Sequence, residues 1–463
     1  MAGINNCTRE HGSFRDPSGF IFHHDGSIYR QINLNYKVNY DHLIASNLYD
    51  VLVAEELLIP HKEVDLSFSE FEGAYKIIQP EKIPFISYPY EWCFTQLKDA
   101  ALTTLSIQKK SLEFGMSLKD SSAYNIQFTK GKPVLIDTLS FEKYKDGQPW
   151  IGYRQFCQHF LAPLALMSYT DVRLNKLFRV FIDGIPLDLA KSLLPFKSFF
   201  RFSIFSHIHI HAKYQNKFAD KYVSPGNKKI SHRGILGIID NLESAIRKLT
   251  WSSAGTEWDD YYGKTNYTSD AFQKKRDIVS EFIDRLNPGE VWDIGANTGL
   301  FSRIAVEKGI KTISFDVDPA CVEKNYLDMK NDSEQNLLPL LLDLTNPSPG
   351  LGWQHHERMS ILERGPTDTI LALALVHHLA ISNNLPLDRI AEFLAKLGNS
   401  LIIEFVPKSD SQVKRLLSSR EDVFPDYTQQ GFENNFRKYF QIENAVKIKG
   451  TPRTLYLMLM RQE

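Results

Sequence analysis

Cysteine is scarce in this chain of 463 residues: Cys7, Cys93, Cys157 and Cys321 are the whole set, and no two form a C-x-x-C pair. Disulfide frameworks and thiolate zinc sites are therefore not expected, and a reducing cytoplasm is the default setting. The sequence also lacks an apolar run long enough to span a bilayer, and no apolar h-region follows a basic start. Excess charge of one sign is missing as well. Lys and Arg number 54 against 55 Asp and Glu, so no global basic field draws the chain to nucleic acid. Repeats and low-complexity tracts are absent. What is present is the apolar and aromatic content of a folded protein, in a chain longer than one core usually supports, so two or three domains are expected.

Residues 291–299, Val-Trp-Asp-Ile-Gly-Ala-Asn-Thr-Gly, carry the most information. An apolar run ends at Trp292, glycines make a tight turn, and residues 300–306 are helix-like, which is the strand–turn–helix opening of a nucleotide-binding α/β unit. A dinucleotide site wants G-x-G-x-x-G, so that bare backbone approaches a pyrophosphate. Here Asn297 and Leu300 replace the second and third glycines, and Asp293 sets a carboxylate just before the turn. That carboxylate would repel a diphosphate and suit a ligand bearing an ammonium group. The stretch resembles motif I of class I S-adenosylmethionine-dependent methyltransferases. The resemblance implies a cofactor site at Asp293, Gly295, Ala296, Asn297, Thr298 and Gly299.

The residues that follow extend the likeness. Residues 311–315 read as a second strand ending in Asp316-Val317-Asp318; an acid about twenty residues after the glycine turn can accept both ribose hydroxyls. Asp316 is the first choice for that role and Asp318 the second. Residues 337–342 are a third apolar run ending in Asp343-Leu344, where the family usually holds the adenine. Residues 369–376 are a fourth run, which contains Leu375 and ends in His377-His378; residues 400–405 are a fifth. Residues 440–449 and 453–460 would close a seven-stranded, Rossmann-like α/β sheet. The fourth strand's carboxyl end is where open α/β sheets bind ligands. An imidazole of His377 or His378 there can act as general base at neutral pH, with Glu404 as runner-up, or the histidines only cap a helix and bond the core. No Asn/Asp-Pro-Pro-Tyr/Phe motif of N-methyltransferases occurs, which favours O-methylation of a small-molecule or glycan acceptor.

The main boundary is expected near residues 215–270, with domains over 1–245 and 246–463. Pro225-Gly226-Asn227 marks a loop, and residues 234–250 place Ile235, Ile238, Ile239, Leu242, Ile246 and Leu249 at helical spacing. Residues 271–286 look like the helix before the first sheet strand. Between them, Tyr261, Tyr262 and Tyr267 either form a lid over the sulfonium or pack a domain junction.

The N-terminal region reads as α+β. Residues 20–32 form a hairpin at Asp25-Gly26, residues 40–58 look helical, residues 74–88 offer two strands, and residues 94–114 make a long helix. Then Asp120 and Asn125 stand at the D-x-x-x-x-N spacing of a kinase catalytic loop, followed by a hairpin ending at Asp137. This order weakly resembles the protein kinase and aminoglycoside phosphotransferase fold. The resemblance implies Asp120 as base, Asn125 and Asp137 as magnesium ligands, and Mg-ATP as a second cofactor if the site is active. Against activity, Leu118 and Thr138 replace the histidine and phenylalanine of the H-R-D and D-F-G triplets. No glycine-rich loop or V-A-I-K lysine is present, with only Arg30 or Lys76 as substitutes. Bifunctional polysaccharide-terminating enzymes also place the methyltransferase first. As a whole the chain is similar to bacterial nodulation-related methyltransferases. Three functions stay open: a methyltransferase with an inert kinase-like domain, a bifunctional kinase–methyltransferase, and a non-catalytic scaffold.

Two further segments attract notice. His207, His209 and His211 alternate like a strand face that could offer imidazoles to a metal, but no acid or cysteine completes a shell. Residues 193–210 cluster Phe196, Phe199, Phe200, Phe202 and Phe205 with Lys197 and Arg201, as a core helix or as an interfacial one.

Overall fold

The computed structural model describes residues 7–210, 230–252, 268–418 and 421–461. The Pro225-Gly226-Asn227 loop, His211 and the tyrosines at 261, 262 and 267 lie outside these. The chain divides into two compact units: Met1–Ser252 with Gly350–Arg358, and Ser253–Pro349 with Met359–Glu463. The helix expected across residue 245 is His232–Lys248, and it stays whole in the first unit. Lys109 Nζ holds it there by pairing with Asp240 at 2.7 Å and Glu243 at 2.6 Å.

In the first unit, β1 (Thr8–Arg9), β2 (Gly19–His24), β3 (Ser27–Asn33), β4 (His61–Val64) and β5 (Ala74–Pro80) form an antiparallel sheet ordered β1-β2-β3-β5-β4. The β2–β3 turn needs two left-handed residues, and Asp25 (φ 48°) and Gly26 (φ 73°) supply them. Period-2 alternation buries Phe20, Phe22, Tyr29 and Ile77 together, while Ile32 and Ile78 pack on Tyr36, Tyr40 and Leu139. Only one strand forms over residues 74–88. The backbone of Ser87 is instead taken by the buried Gln127 side chain, through Ser87 N–H to Oε1 (2.9 Å) and Nε2 to Ser87 O (2.9 Å). The other strand is β4, which its charged sequence His-Lys-Glu-Val concealed. The expected long helix is present as Phe94–Glu113. After it come the pair β6 (Met116–Leu118) and β9 (Phe141–Lys143), and the hairpin β7 (Ile126–Thr129) and β8 (Lys132–Leu135).

Two expectations fail in this unit. Residues 193–210 are no core helix. Leu194 precedes a proline and is extended (ψ 136°), so the chain breaks there into short helical turns. Phe196, Phe200 and Phe202 are left 73–77% exposed. Nor do the histidines form a strand face. Phe205–Ile210 is a π-helical turn, in which His207 bonds Tyr153 Oη (2.6 Å) and Asn241 Oδ1 (2.9 Å), and His209 bonds Ser198 Oγ (2.9 Å). No group of metal-ligating side chains occurs among the described residues.

The second unit is built on seven strands: β10 (Glu290–Ile294), β11 (Lys311–Asp316), β12 (Leu337–Leu341), β13 (Thr367–Ala372), β14 (Gly398–Phe405), β15 (Phe440–Lys447) and β16 (Thr454–Met460). Their order is β12-β11-β10-β13-β14-β16-β15, with β10–β14 parallel and the last two antiparallel. All seven were expected from the sequence. The buried runs of β10 and β13 pack under helix Ser269–Leu286, where Val279, Phe282 and Ile283 meet Val291, Leu371 and Ile402. Strand order reverses between β10 and β13, which opens a crevice at the carboxyl ends of those strands. Among the described residues, no helix is long and apolar enough to cross a membrane.

Candidate functional site

At the carboxyl end of β10 the chain must turn sharply out of a buried strand. Gly295 (φ 79°), Asn297 (φ 51°) and Gly299 (φ 76°) make that turn in the left-handed region. The amides of Gly295 and Ala296 donate to Phe315 O at 2.8 and 2.9 Å, which fastens the turn to β11. A side chain at 299 would meet Asn325 Oδ1 at 2.4 Å, so glycine is required there by packing. Asn297 tolerates its strained backbone because its amide donates to Asp316 Oδ2 (2.7 Å) and its Oδ1 accepts the Thr298 amide (2.8 Å).

These elements enclose a cavity of about 420 Å³, within the range of roughly 300–1,000 Å³ common for small-ligand sites. Of the residues singled out in the sequence, Asp293, Gly295, Ala296, Asn297, Asp316, Val317, Asp343, Leu344, Leu375 and His378 line it. Thr298, Gly299 and Asp318 are not among its lining residues. Thr298 O accepts from Arg303 Nη1 (2.9 Å), and Asp318 caps the helix Pro319–Asn331 by accepting the Ala320 amide (2.8 Å). Asp316, the first choice, faces the cavity; Asp318 does not.

Two carboxyl groups there are perturbed. Burial pushes Asp293 up to about 7, opposed by the hydroxyl of Ser302, which donates to Oδ2 at 2.6 Å, while the nearby Asp316 adds to the rise. Burial also pushes Asp316 up to about 6, although the Asp318 and Asn297 amides stabilise its charge. At neutral pH the pair is therefore poised to gain or lose a proton when a cation or a hydrogen-bond donor arrives.

The histidines sit differently from the expected strand end. Strand β13 stops at Ala372, because Ala374 adopts a left-handed backbone (φ 52°), and His378 opens the π turn His378–Ser382. Only His378 lines the cavity. His377 is 1% exposed, 4.2 Å ring to ring from His378, and its Nδ1 has no partner among the described residues. Burial lowers both imidazoles, His377 well below its usual value and His378 to about 4, with the Arg453 cation pushing the same way. Both rings are thus neutral at physiological pH.

Glu404 is not the free base that its strand position suggested. It is fully buried and accepts Lys275 Nζ at 2.6 Å and Arg453 Nη1 at 3.3 Å. Arg453 also grips Asp410 through Nε (2.8 Å) and Nη2 (3.2 Å). Lys275 was missed in the sequence and lines the cavity, 4.5 Å from the Phe301 ring. A signal existed: Ala271, Lys275, Val279 and Ile283 share one helical face, and a lysine amid a buried apolar stripe needs a reason. Burial lowers its ammonium, and Glu404 opposes that shift.

In the first unit, Asp120, Asn125 and Asp137 occupy one loop cluster but are already engaged. Asp137 pairs with Arg30 at 2.8 Å and accepts from the Leu139 amide (2.8 Å) and Ser140 Oγ (2.9 Å). Asn125 Nδ2 reaches Ser140 Oγ (3.3 Å), and Asp120 accepts the Ser122 amide (3.0 Å). Lys76, the other substitute cation, pairs with Glu63 at 2.6 Å.

A methyltransferase-domain family profile matches residues 267–445. Nodulation protein NoeA of Rhizobium meliloti (strain 1021) is 36% identical over 453 residues, covering 96% of this chain and 94% of that one. Among solved structures, WbdD is 17% identical over 45% of this chain and 43% of its own, with a TM-score of 0.30. Magnesium protoporphyrin IX methyltransferase of Synechocystis PCC 6803 with bound SAH is likewise 17% identical, over 44% and 93%, with a TM-score of 0.30.

Removing one partner of a buried ion pair leaves the other charge stranded, at a cost of about 3–5 kcal/mol. Glu404→Gln is accordingly expected to lower the unfolding free energy by that amount in urea titration, and Glu404→Gln with Lys275→Met to recover much of it. A single-variant loss under about 1 kcal/mol would return Glu404 to the role of an uncommitted carboxylate.

Proposed function

Since the chain belongs to the family of nodulation protein NoeA and is an S-adenosylmethionine-dependent methyltransferase, we propose that it methylates an oxygen of a small-molecule or glycan acceptor at the β10–β13 crevice. The observation that carries this reading is the placement of two proton-poised carboxyls, Asp293 and Asp316, at the carboxyl ends of the adjacent strands β10 and β11 in one cavity. Both suit the cofactor. Asp293 meets its ammonium group with a carboxylate already held by Ser302, and Asp316 accepts from its ribose hydroxyls. Asp343, Leu344 and Val317 flank the adenine end, and Gly295 lets the backbone come close, beneath Leu375. The bound cofactor supplies an electrophilic methyl group; the protein supplies position and an exit for a proton.

His378 supports oxygen as the acceptor atom. A neutral imidazole at the cavity wall can take the proton of a hydroxyl as methylation proceeds. The absence of an N-methyltransferase motif favours the same choice. The first unit reads as a kinase-like scaffold without phosphotransfer: Asp137 is paired with Arg30, and the sequence has no glycine-rich loop or V-A-I-K lysine. Calorimetric titration with Mg-ATP is expected to show no binding. Micromolar affinity that is lost in Asp137→Ala would favour the bifunctional enzyme instead.

Cofactor binding should depend on pH with a definite sign. A folded-state value of about 7 leaves Asp293 half protonated in neutral solution, and only its carboxylate pairs with an ammonium. Affinity for S-adenosylmethionine therefore rises as pH rises through about 7, with proton release on binding, and Asp293→Asn removes that dependence. Asp316→Ala should weaken binding roughly tenfold to a hundredfold, the worth of about 1.5–3 kcal/mol for a charged hydrogen bond. Unchanged affinity in Asp316→Ala would remove it from the site.

At saturating cofactor, kcat should stay flat until pH approaches the His378 value of about 4, rather than falling through the usual imidazole range. His378→Gln should lower kcat about a hundredfold with cofactor affinity nearly intact. Turnover equal to wild type would reduce the ring to packing.

A further inference from the structure

The proline break at residue 195 leaves an unusual surface on the first unit. Phe196 (74%), Phe200 (77%) and Phe202 (73%) are exposed in consecutive short turns, with Phe199 and Phe205 each 37% exposed beside them. Four of the rings form one patch: the Phe196 ring lies 5.5 Å from Phe200 and 5.6 Å from Phe199, and Phe199 lies 6.2 Å from Phe205, while exposed Phe202 stands two residues after Phe200 in the same segment. Leaving three large aromatic rings in water is costly, and folded proteins seldom concentrate such area without a use.

The segment's charge pattern says what that use is. Residues 189–210 hold Lys191, Lys197 and Arg201 and no Asp or Glu, and the sequence stays free of acids as far as residue 219. Elsewhere the chain balances its charges almost evenly. Lys197 and Arg201 are themselves exposed and interleaved in sequence with the rings, so apolar groups and cations emerge from one short segment. A core-facing stripe would segregate charge from aromatics, and a protein partner would meet both signs. Rings that enter the acyl boundary beside cations that stay with the headgroups match an anionic lipid surface. The patch is anchored from beneath rather than floppy. His209 stacks on Phe199 at 3.8 Å and bonds Ser198, and buried Ile204 and Ile208 fix the turns.

We propose that Phe196, Phe200 and Phe202, with Lys197 and Arg201, dock the protein reversibly on a bilayer bearing anionic headgroups. Docking is independent of the methyl-transfer site. Full-length protein sedimented with vesicles rich in phosphatidylserine should be carried down, and with pure phosphatidylcholine vesicles much less so, the bound fraction falling as salt rises. Because all three phenylalanines are exposed, Phe196→Ser, Phe200→Ser and Phe202→Ser together should abolish sedimentation while thermal unfolding stays at the wild-type midpoint. Lys197→Glu with Arg201→Glu should reduce partitioning roughly tenfold or more. No sedimentation of the wild type, or equal sedimentation of the triple-serine variant, would overturn the proposal. So would a concentration-dependent dimer that the serine substitutions dissolve, since the patch would then belong to a second copy of this chain.

Discussion

Glu404 holds two cations that arrive from opposite ends of the second unit, Lys275 from the helix before the first sheet strand and Arg453 from just before the last. Charges this deep are tolerated only as partners, since the loss of water around each ion must be met by its neighbours. Two carboxylates, Glu404 and Asp410, face two cations, and the set is balanced before Asp293 is counted. The consequence for the cavity is direct. Asp293 feels the Lys275 charge but is not consumed by it, so its carboxyl remains available to a ligand while burial keeps it close to neutrality. Burial keeps the neighbouring histidines uncharged, and the Arg453 cation pushes the same way. The cluster thus tunes what burial sets: Lys275 opposes the rise of Asp293, and Arg453 adds to the lowering of both imidazoles.

The parallel sheet was legible because its signals are local. Each of β10, β11 and β12 is a short apolar run that ends at or beside an acid, and a buried parallel strand must read that way. The motif-I turn was legible for the same reason: the left-handed backbone at 295 and 299 favours glycine, which the sequence shows directly. Other features depend on distant partners and left no local trace. Arg453 reads as an ordinary residue after a proline until Glu404 and Asp410 close on it. β4 was concealed by its charges, since an edge strand can present Lys62 and Glu63 to solvent. His207 and His209 mimicked a strand because alternation over five residues is also compatible with a helical turn whose partners, Tyr153 and Ser198, lie elsewhere in sequence.

In the first unit, Asp120, Asn125 and Asp137 share one loop cluster and are each satisfied internally. Asp137 is a helix cap and an ion-pair partner, and Asp120 closes a turn onto Ser122. Such groups cost stability if left bare, and an internal cation offsets that cost. Arg30, on the strand opposite, does this.

One excursion of the chain ties the history of the halves together. Residues 350–358 leave the second unit's sequence between β12 and β13 yet belong to the first, where Glu357 receives both nitrogens of the Arg15 fork at 2.8 Å. The polypeptide therefore crosses between the units three times instead of once. Recombination that exchanged either half for a foreign one would carry off, or leave behind, a stretch whose partners stayed on the other side. Modules joined by a single linker can be shuffled freely among genes. Here, exchanging either half would separate residues 350–358 from partners such as Arg15.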